Sequence, residues 1–359
     1  MALVVNDGPH DAAAAVFTSN RVKAAPVLWS VQATADNALR AVVLNSGGAN
    51  ACTGPGGLSD AQRTAEHVAA LLDVAPLQVA VCSTGLIGKR LPMDLVLAGA
   101  GSAAAQLSTT GGDDAAAAIM TTDTLAKMAA YSAPAGWRVG GMAKGAGMLA
   151  PGLATMLVVL TTDAVVTAAQ FQACVAQATR MTFDRIDSDG CMSTNDSVIA
   201  LSSGASGVAP AVDEVTAAIS QVCADLARQL IGDAEGATKD IRITVTGAAS
   251  ETDALEVARA VSRSNLLKCA IHGEDPNWGR VLAAVGTTQA TFQPDLIAVD
   301  FNGVAMCRSG AALDEEPIVD LSPLEVSIDI DLGAGDQQAT LWTNDLTAQY
   351  VHENSAYST

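Results

Sequence analysis

The sequence predicts an α/β protein in which helices are layered on mixed β-sheets. Short apolar runs that end in turn residues alternate along the chain with longer segments of helical spacing. Half of the 359 residues are hydrophobic but only 3% are aromatic, so the core must be built from aliphatic side chains. A chain of this length can form two domains or one large layered α/β structure.

The first half of the chain predicts two strands and three helices. Strands are expected at residues 39–47 and 77–85, which both end in turn residues. The helix expected between them, at 58–74, starts at a Ser-Asp pair and has apolar residues at helical spacing. Further helices are expected at 91–107, where Pro92 suits a first turn, and at 113–120.

The second half continues the alternation. It begins with a buried, β-branched strand in the segment "KGAGMLAPGLATMLVVLTTDA" (144–164). Helices are then predicted at 167–180, 211–234 and 251–264, and strands at 196–204 and 241–247. The segment "EVSIDIDLGAGDQQATLW" (325–342) predicts a β-hairpin.

Charge and composition exclude several classes of protein. The net charge of −19 repels phosphate backbones and anionic membranes, so neither a nucleic-acid nor a membrane partner is expected. No apolar run has the length of a membrane span, and the N-terminus lacks the features of a signal peptide. The seven cysteines lack C-x-x-C spacing and the four histidines are scattered, which predicts a cytoplasmic protein without a metal site.

Three motifs resemble binding loops but have the wrong context. "GAGMLA" (145–150) is followed by Pro-Gly and a strand, whereas a dinucleotide loop opens a helix. "TGLIGK" (84–89) lacks the spacing and the Ser or Thr of a phosphate loop. "DSDG" (187–190) lacks the later glutamate of a calcium loop, so a solvated turn is expected there.

The segment 144–164 places a hydroxyl residue, Thr155, between a Gly/Pro-rich approach and the strand. A threonine hydroxyl needs a neighbouring base to act as a nucleophile. The α-amine of Thr155 becomes such a base only if the Ala154–Thr155 bond is cut. From the residues alone, an ordinary turn before a buried strand remains the favoured interpretation.

A resemblance to a known family changes that interpretation. The segment 144–164 is similar to the self-cleavage segment of the ornithine acetyltransferases of arginine biosynthesis. Other blocks resemble the family in the same order along essentially the whole chain: "VVLNSGGANACTG", "VCSTGLIGKRLPMD", "AIMTTDT", "GGMAKGAGM", "STNDSV", "GDAEGATK", "DPNWGRVLAAVG" and "ENSAYST". Together these blocks are highly specific.

The resemblance implies the fold shared by these enzymes and related self-processing aminopeptidases. It implies cleavage between Ala154 and Thr155 into an α chain, 1–154, and a β chain, 155–359, which together form one folded unit. Thr155 would be the nucleophile, and Thr84 and Gly85 would form the oxyanion hole. The chemistry implied is acetyl transfer from N-acetylornithine to glutamate through acetyl-Thr155, without a cofactor.

The resemblance also implies a substrate site and an assembly. The substrate-binding residues would be Thr121, Lys144, Thr155, Glu235, Asn354 and Thr359. A lysine ammonium suits the α-carboxylate that both substrates carry, and Glu235 suits the δ-ammonium of ornithine. Some members of the family also use acetyl-CoA as donor, and the expected assembly is a heterotetramer of two α and two β chains.

Two alternatives remain at this stage: an aminopeptidase or amidase on the same scaffold, and an uncleaved, catalytically silent binding protein.

One departure from the family is visible at the N-terminus. Members carry an additional segment before the block that begins "MALVVNDGP" here, so the chain is expected to start inside its first strand pair. A missing strand would expose a sheet edge.

Overall fold

The computed structural model describes residues 1–150, 156–315 and 317–356. Their strands are β1 (Ala2–Val5), β2 (Ala12–Phe17), β3 (Ala41–Asn45), β4 (Val79–Ser83), β5 (Lys127–Ser132), β6 (Arg138–Lys144), β7 (Leu157–Thr162), β8 (Ser197–Ser202), β9 (Asp240–Ala248), β10 (Ala298–Phe301), β11 (Val304–Arg308), β12 (Ala311–Ala312), β13 (Glu325–Asp331) and β14 (Gln337–Asn344). Their helices are α1 (Ala25–Ala33), α2 (Gly54–Leu72), α3 (Met93–Ala105), α4 (Gly112–Ala118), α5 (Ala168–Met181), α6 (Val212–Gly232), α7 (Glu251–Ser262), α8 (Asn265–His272), α9 (Trp278–Val285) and α10 (Ala348–Ala356).

The predicted α/β class with helices layered on mixed sheets is confirmed, and each predicted helix and strand is present with shifted ends. The largest shift is in α2, which begins at Gly54 rather than at the Ser-Asp pair. Pro55 suits the first helical turn, so the helix can start there. Asp60 then lies inside the helix, fully buried, and binds the guanidinium of Arg90 through two short hydrogen bonds of 2.6 and 2.7 Å.

The described residues form two compact units. Unit 1 comprises those of Met1–Asp184 and Cys191–Asp233, and unit 2 comprises Arg185–Gly190 and the residues from Ala234 onward. Unit 1 therefore contains residues from both sides of the expected cleavage point. That point, between 154 and 155, lies outside the described residues.

Unit 1 contains a three-stranded sheet of order β1-β3-β4 that is covered on both faces. Successive side chains of a strand point to opposite faces. In β3, Ala41 and Val43 join a cluster with side chains of α1, α2 and α3. Val42 and Leu44 join a second cluster with side chains of β7 and β8. The nearly continuous apolar run in β3 is explained by this two-sided burial.

The second sheet of unit 1 has five strands in the order β2-β8-β7-β6-β5. Strands β7 and β8 are parallel, whereas β6 and β7 are antiparallel with Lys144 opposite Leu157. Helices α5 and α6 cover the face turned away from the three-stranded sheet. A Cβ on Gly141 would lie 3.0 Å from Leu226 of α6, so this glycine permits close packing. Unit 1 is thus a helix–sheet–sheet–helix sandwich.

Unit 2 contains a six-stranded sheet of order β12-β11-β10-β13-β9-β14. Its core joins apolar side chains of the sheet to those of α7, α8 and α9, including Val257, Leu267 and Val281. Helices α7, α8 and α9 are preceded by the N-cap residues Ser250, Ser264 and Asn277, whose side chains accept backbone N–H groups of the first turn.

The hairpin predicted at 325–342 is wrong. Strands β13 and β14 exist, but β9 lies between them, parallel to β13 and antiparallel to β14. The five-residue connection crosses the end of β9, where the Ala334 amide donates to the Gly247 carbonyl at 2.6 Å. Gly247 and Gly333 have φ of +62° and +60°, and a Cβ on Gly247 would lie 2.9 Å from the Gly333 nitrogen. Glycine at both positions allows this close crossing.

Two further expectations are corrected. The first two strands are not paired with each other, because β1 pairs with β3 and β2 pairs with β8. The "DSDG" turn is solvated only in part: Gly190 is exposed, but Asp187 is fully buried and accepts a hydrogen bond of 2.7 Å from the Arg263 side chain. Burial raises the pKa of the Asp187 carboxyl, and the charge of Arg263 offsets part of this rise.

In the described parts of the chain, none of the helices has both the length and the apolar character that crossing a membrane requires.

Candidate active site

The ends of the parallel strands β3 and β4 hold the predicted oxyanion residues. Just beyond β4, the Thr84 amide donates to the Asn45 carbonyl at 3.0 Å, and the Ser83 hydroxyl donates to the Asn45 side chain at 2.6 Å. Gly85 has a φ of +122°, and a Cβ there would lie 2.9 Å from the Gly48 nitrogen. These contacts fix the turn against the backbone at Gly48 and make glycine the fitting residue at position 85.

Two groups of this turn can still donate a hydrogen bond to a ligand. Because the Thr84 amide already binds Asn45, the group that Thr84 can offer to a ligand is its hydroxyl. Gly85 is exposed, and its amide has no acceptor among the residues that the structure describes. The turn can therefore present one hydroxyl and one backbone N–H to an oxygen that gains negative charge. The neighbouring Cys82 is no rival nucleophile, because burial raises the pKa of its thiol to about 12.

Lys144 brings residues of three predicted motifs together. It ends β6, and its side chain is 2% exposed. The Lys144 ammonium donates to the Thr121 hydroxyl at 2.7 Å and to the Thr84 hydroxyl at 3.3 Å. It also lies 3.7 Å from the Asp123 carboxylate. Thr84 and Lys144 are buried but Thr121 is exposed, so the cluster has one accessible member.

Asp123 links Lys144 to a second buried lysine, Lys127. Asp123 Oδ1 accepts from the Lys127 ammonium at 2.7 Å and from the Gly145 amide at 2.6 Å. The Lys127 ammonium also donates to Asp233, which follows the last turn of α6. Burial alone raises the pKa of the Asp123 carboxyl, but the charges of Lys144 and Lys127 together outweigh it and hold that pKa below its usual range.

Asp196 is a second buried carboxyl group, at the start of the parallel strand pair β7–β8. Its Oδ1 accepts from the Met156 amide at 3.1 Å, and its Oδ2 has no hydrogen-bond partner among the described residues. Burial raises the pKa of Asp196 well above its usual value, although the Met156 amide, the Ser193 hydroxyl and Lys144 act in the opposite direction. The arrangement favours the protonated, neutral acid.

The two C-terminal substrate residues described, Glu235 and Asn354, meet within unit 2. The Asn354 side-chain amide donates to the Glu235 carboxylate at 3.0 Å. Gly236 has a φ of +62°, and a Cβ there would lie 2.3 Å from the Tyr350 nitrogen of α10, so the helix packs directly on this loop. The Thr347 hydroxyl also donates to the Gly236 carbonyl at 2.6 Å. Asn354 therefore belongs to an anchored helix.

The structure gathers Thr84, Thr121 and Lys144 in unit 1 and places Gly85 beside Thr84; it pairs Glu235 with Asn354 in unit 2. The remaining predicted site residues, Ala154, Thr155 and Thr359, lie outside the described residues. Within the described ranges, no group of three or more His, Cys, Asp or Glu side chains could hold a metal ion.

Sequence reasoning missed four residues of this region: Asp123, Lys127, Asp196 and Asp233. The three acidic residues lie inside the blocks "AIMTTDT", "STNDSV" and "GDAEGATK", which is a signal that could have drawn attention to them. Lys127 lies among apolar residues in "LAKMAAY" and gives no comparable signal. Its burial is stabilised by carboxylates that only the tertiary structure brings near.

Comparison with known proteins covers the whole chain. The profile of the ArgJ family matches residues 1–359. The chain is 60% identical to the arginine biosynthesis bifunctional protein ArgJ of Thermobifida fusca over 359 residues, which are 100% of this chain and 94% of that protein. It is also 60% identical to the protein of the same name from Streptomyces coelicolor, over 100% of this chain and 93% of that one.

A solved structure agrees with these relatives. The crystal structure of the arginine biosynthesis bifunctional protein ArgJ from Bacillus halodurans superposes with a TM-score of 0.51 at 31% sequence identity. The match covers 55% of this chain and 97% of that chain. The likeness supports the layered α/β fold, and the full-length sequence match decides the family. The chain belongs to the ArgJ family.

Proposed function

We propose that this chain is an acetyltransferase of arginine biosynthesis that moves the acetyl group of N-acetylornithine to glutamate through an acetyl ester on Thr155. Family membership over residues 1–359 supports acetyl transfer and removes the support for the aminopeptidase alternative. The observation that carries the proposal is that the Lys144 ammonium donates to the hydroxyl groups of Thr84 and Thr121, so that residues of three separate motifs meet.

We infer that maturation is self-cleavage. The Thr155 hydroxyl oxygen attacks the Ala154 carbonyl carbon, the C–N bond breaks, and the hydroxyl proton passes to the leaving α-amine. Water then hydrolyses the resulting ester, which releases the carboxylate of Ala154 and restores the hydroxyl. The pairing of β6 with β7 supports this step, because it ties together the chain on both sides of the scissile bond.

The mature reaction would use the same hydroxyl twice. Thr155 attacks the acetyl carbonyl of N-acetylornithine while its own α-amine takes the hydroxyl proton, and ornithine leaves with that proton on its α-amine. Glutamate's α-amine then attacks the ester and regenerates the hydroxyl. The Thr84 hydroxyl and the Gly85 amide are the donors that we assign to the oxyanion, since both remain available in the turn.

Substrate roles follow from charge. Lys144, with the exposed residue Thr121 beside it, suits the α-carboxylate that N-acetylornithine and glutamate share. Glu235, oriented by Asn354, suits the δ-ammonium of ornithine. We keep Thr359 as a further substrate contact, on the family resemblance alone.

The relatives are named bifunctional proteins, and we propose that this chain likewise acetylates glutamate from a second donor, acetyl-CoA. We further propose a cytoplasmic heterotetramer of two α and two β chains. Release of free coenzyme A on addition of glutamate and acetyl-CoA would establish the second donor. A native mass equal to two complete polypeptides would establish the assembly, and a mass of one would contradict it.

The decisive experiment is intact-protein mass spectrometry of the denatured enzyme. Two chains are expected, 1–154 and 155–359, and the second should gain one acetyl group on Thr155 when N-acetylornithine is added without glutamate. The variant Thr155→Ala should stay uncut. Its matched control is Thr161→Ala, an exposed threonine in β7 that should leave cleavage complete. A fully active wild type in one piece would overturn the mechanism, and an inactive single chain would favour the silent binding protein.

A further inference from the structure

We propose that Asp123 is a positioning residue for the substrate carboxylate: held by Lys127, its buried carboxylate fixes the Lys144 ammonium at the hydroxyl groups of Thr84 and Thr121. The proposal rests on the proposed function, in which Lys144 binds the α-carboxylate. It adds three residues, Asp123, Lys127 and Asp233, that the sequence motifs did not assign to the reaction.

The geometry divides the two oxygens of Asp123 between different tasks. Oδ1 accepts from the Lys127 ammonium at 2.7 Å and from the Gly145 amide at 2.6 Å. Oδ2 accepts from the Thr121 amide at 3.0 Å and lies 3.7 Å from the Lys144 ammonium. The separation of 3.7 Å exceeds hydrogen-bond length, so Asp123 attracts Lys144 without taking one of its N–H donors.

Two hydroxyl groups are acceptors for Lys144. Lys144 donates to Thr121 at 2.7 Å and to Thr84 at 3.3 Å. Thr121 is thereby held by the same carboxylate, since its backbone amide and its hydroxyl donate to Asp123 Oδ2 at 3.0 and 3.5 Å, and its hydroxyl also accepts from the lysine that Asp123 attracts. One buried carboxylate thus places both groups that the proposed function assigns to the α-carboxylate.

Lys127 explains why Asp123 does not simply neutralise Lys144. Both lysine side chains are nearly inaccessible, at 1% and 2% exposure. Asp123 shares its charge between the two ammonium groups, and Lys127 shares its own between Asp123 and Asp233. The result is a chain of alternating charges, Lys144–Asp123–Lys127–Asp233, in which Lys144 keeps attraction for an incoming anion.

Other ionisable groups also act on this lysine. Asp196 is within electrostatic range of Lys144, and Asp184 in turn acts on Asp196. These carboxyl groups are common to every variant below, so their effects cancel when variants are compared. Asp60 offers a matched control, because it is an equally buried carboxylate of unit 1 that binds Arg90.

The test compares two acetyl donors that differ only in the group that Lys144 binds. N-acetylputrescine is N-acetylornithine without the α-carboxylate, so the ratio of their kcat/KM values measures carboxylate recognition. We expect Asp123→Asn and Lys127→Met to lower this ratio by about tenfold, which corresponds to about 1.4 kcal/mol of lost discrimination. Asp60→Asn should leave the ratio unchanged. A role limited to folding would reduce kcat/KM for both donors equally.

Each outcome decides something. If Asp123→Asn does not yield folded protein, Lys127→Met still tests the proposal. The milder Asp233→Asn, at the other end of the chain of charges from Lys144, should also lower the ratio. An unchanged ratio in the variants that fold would overturn the inference. If the wild type itself forms no acetyl-Thr155, the proposed function fails instead, and mass spectrometry of the same samples distinguishes these two failures.

Discussion

Replacing Asp196 by asparagine should stabilise the folded chain, and the gain should grow with pH. The Asp196 side chain is fully buried, its Oδ1 accepts from the Met156 amide at 3.1 Å, and its Oδ2 lacks a partner among the described residues. Burial raises its pKa well above the usual value. An asparagine can keep the Oδ1 contact with Met156 while needing no proton.

The magnitude follows from proton linkage. Between pH 5 and the pH at which the folded carboxyl ionises, Asp196 binds one proton in the folded state and none in the unfolded state, where its pKa is about 3.9. The stability contributed by the neutral acid is complete below that value and is lost as pH rises. Within that range the wild type should therefore lose about 1.4 kcal/mol per pH unit relative to Asp196→Asn.

The assay is urea unfolding at pH 5, 6 and 7, with both proteins in the Thr155→Ala background so that the chain stays in one piece. Equal m-values would show that the compared states have the same compactness. A difference in unfolding free energy that does not change with pH would refute the reasoning, because it would mean that Asp196 is ionised in the folded protein.

Three further changes test other parts of the structure. Gly85→Ala should lower kcat by about a hundredfold, because the added Cβ would meet the backbone at Gly48. The control Gly101→Ala has open space at its Cβ and should leave kcat unchanged, so equal kcat values for the two variants would contradict the role assigned to the turn. Gln229→Ala should cost about 1 kcal/mol in urea unfolding and speed hydrogen exchange on β5, because the Gln229 amide binds both the N–H and the C=O of Met128; unchanged exchange would contradict this. Asn354→Ala should raise KM for N-acetylornithine several-fold with complete self-cleavage, and an unchanged KM would remove Asn354 from the site.

The order of elements could be predicted because local patterns specify it. The β-branched run of β7 and the helical spacing of α2 depend on neighbours in sequence, and both were predicted correctly. The partners of β13 and β14 were predicted wrongly, because a five-residue connection is compatible both with a hairpin and with a crossing over a third strand. Nothing within 325–342 indicates that β9 lies between them.

The residues of the candidate site were likewise predicted only in part. Thr84 and Lys144 were found through motifs, and the structure places them in contact. Asp123 and Lys127 were missed because each residue alone is typical of a solvated surface, and the block that contains Asp123 does not show that the two side chains form a buried ion pair. Their role depends on the meeting of β5, β6 and the end of α6, which is a property of the tertiary structure.

The order of the five-stranded sheet makes its stability depend on dilution once the chain is cut. Strands β8 and β7 would belong to one polypeptide, and they lie between β2 on one side and β6 and β5 on the other, all of which would belong to the second polypeptide. Two hydrogen-bonded ladders, β2–β8 and β6–β7, would then join separate molecules. Complete unfolding of the cut protein also separates each α chain from its β chain, so each tenfold dilution should lower its stability, per α–β pair, by about 1.4 kcal/mol more than that of the uncut chain in the same assembly.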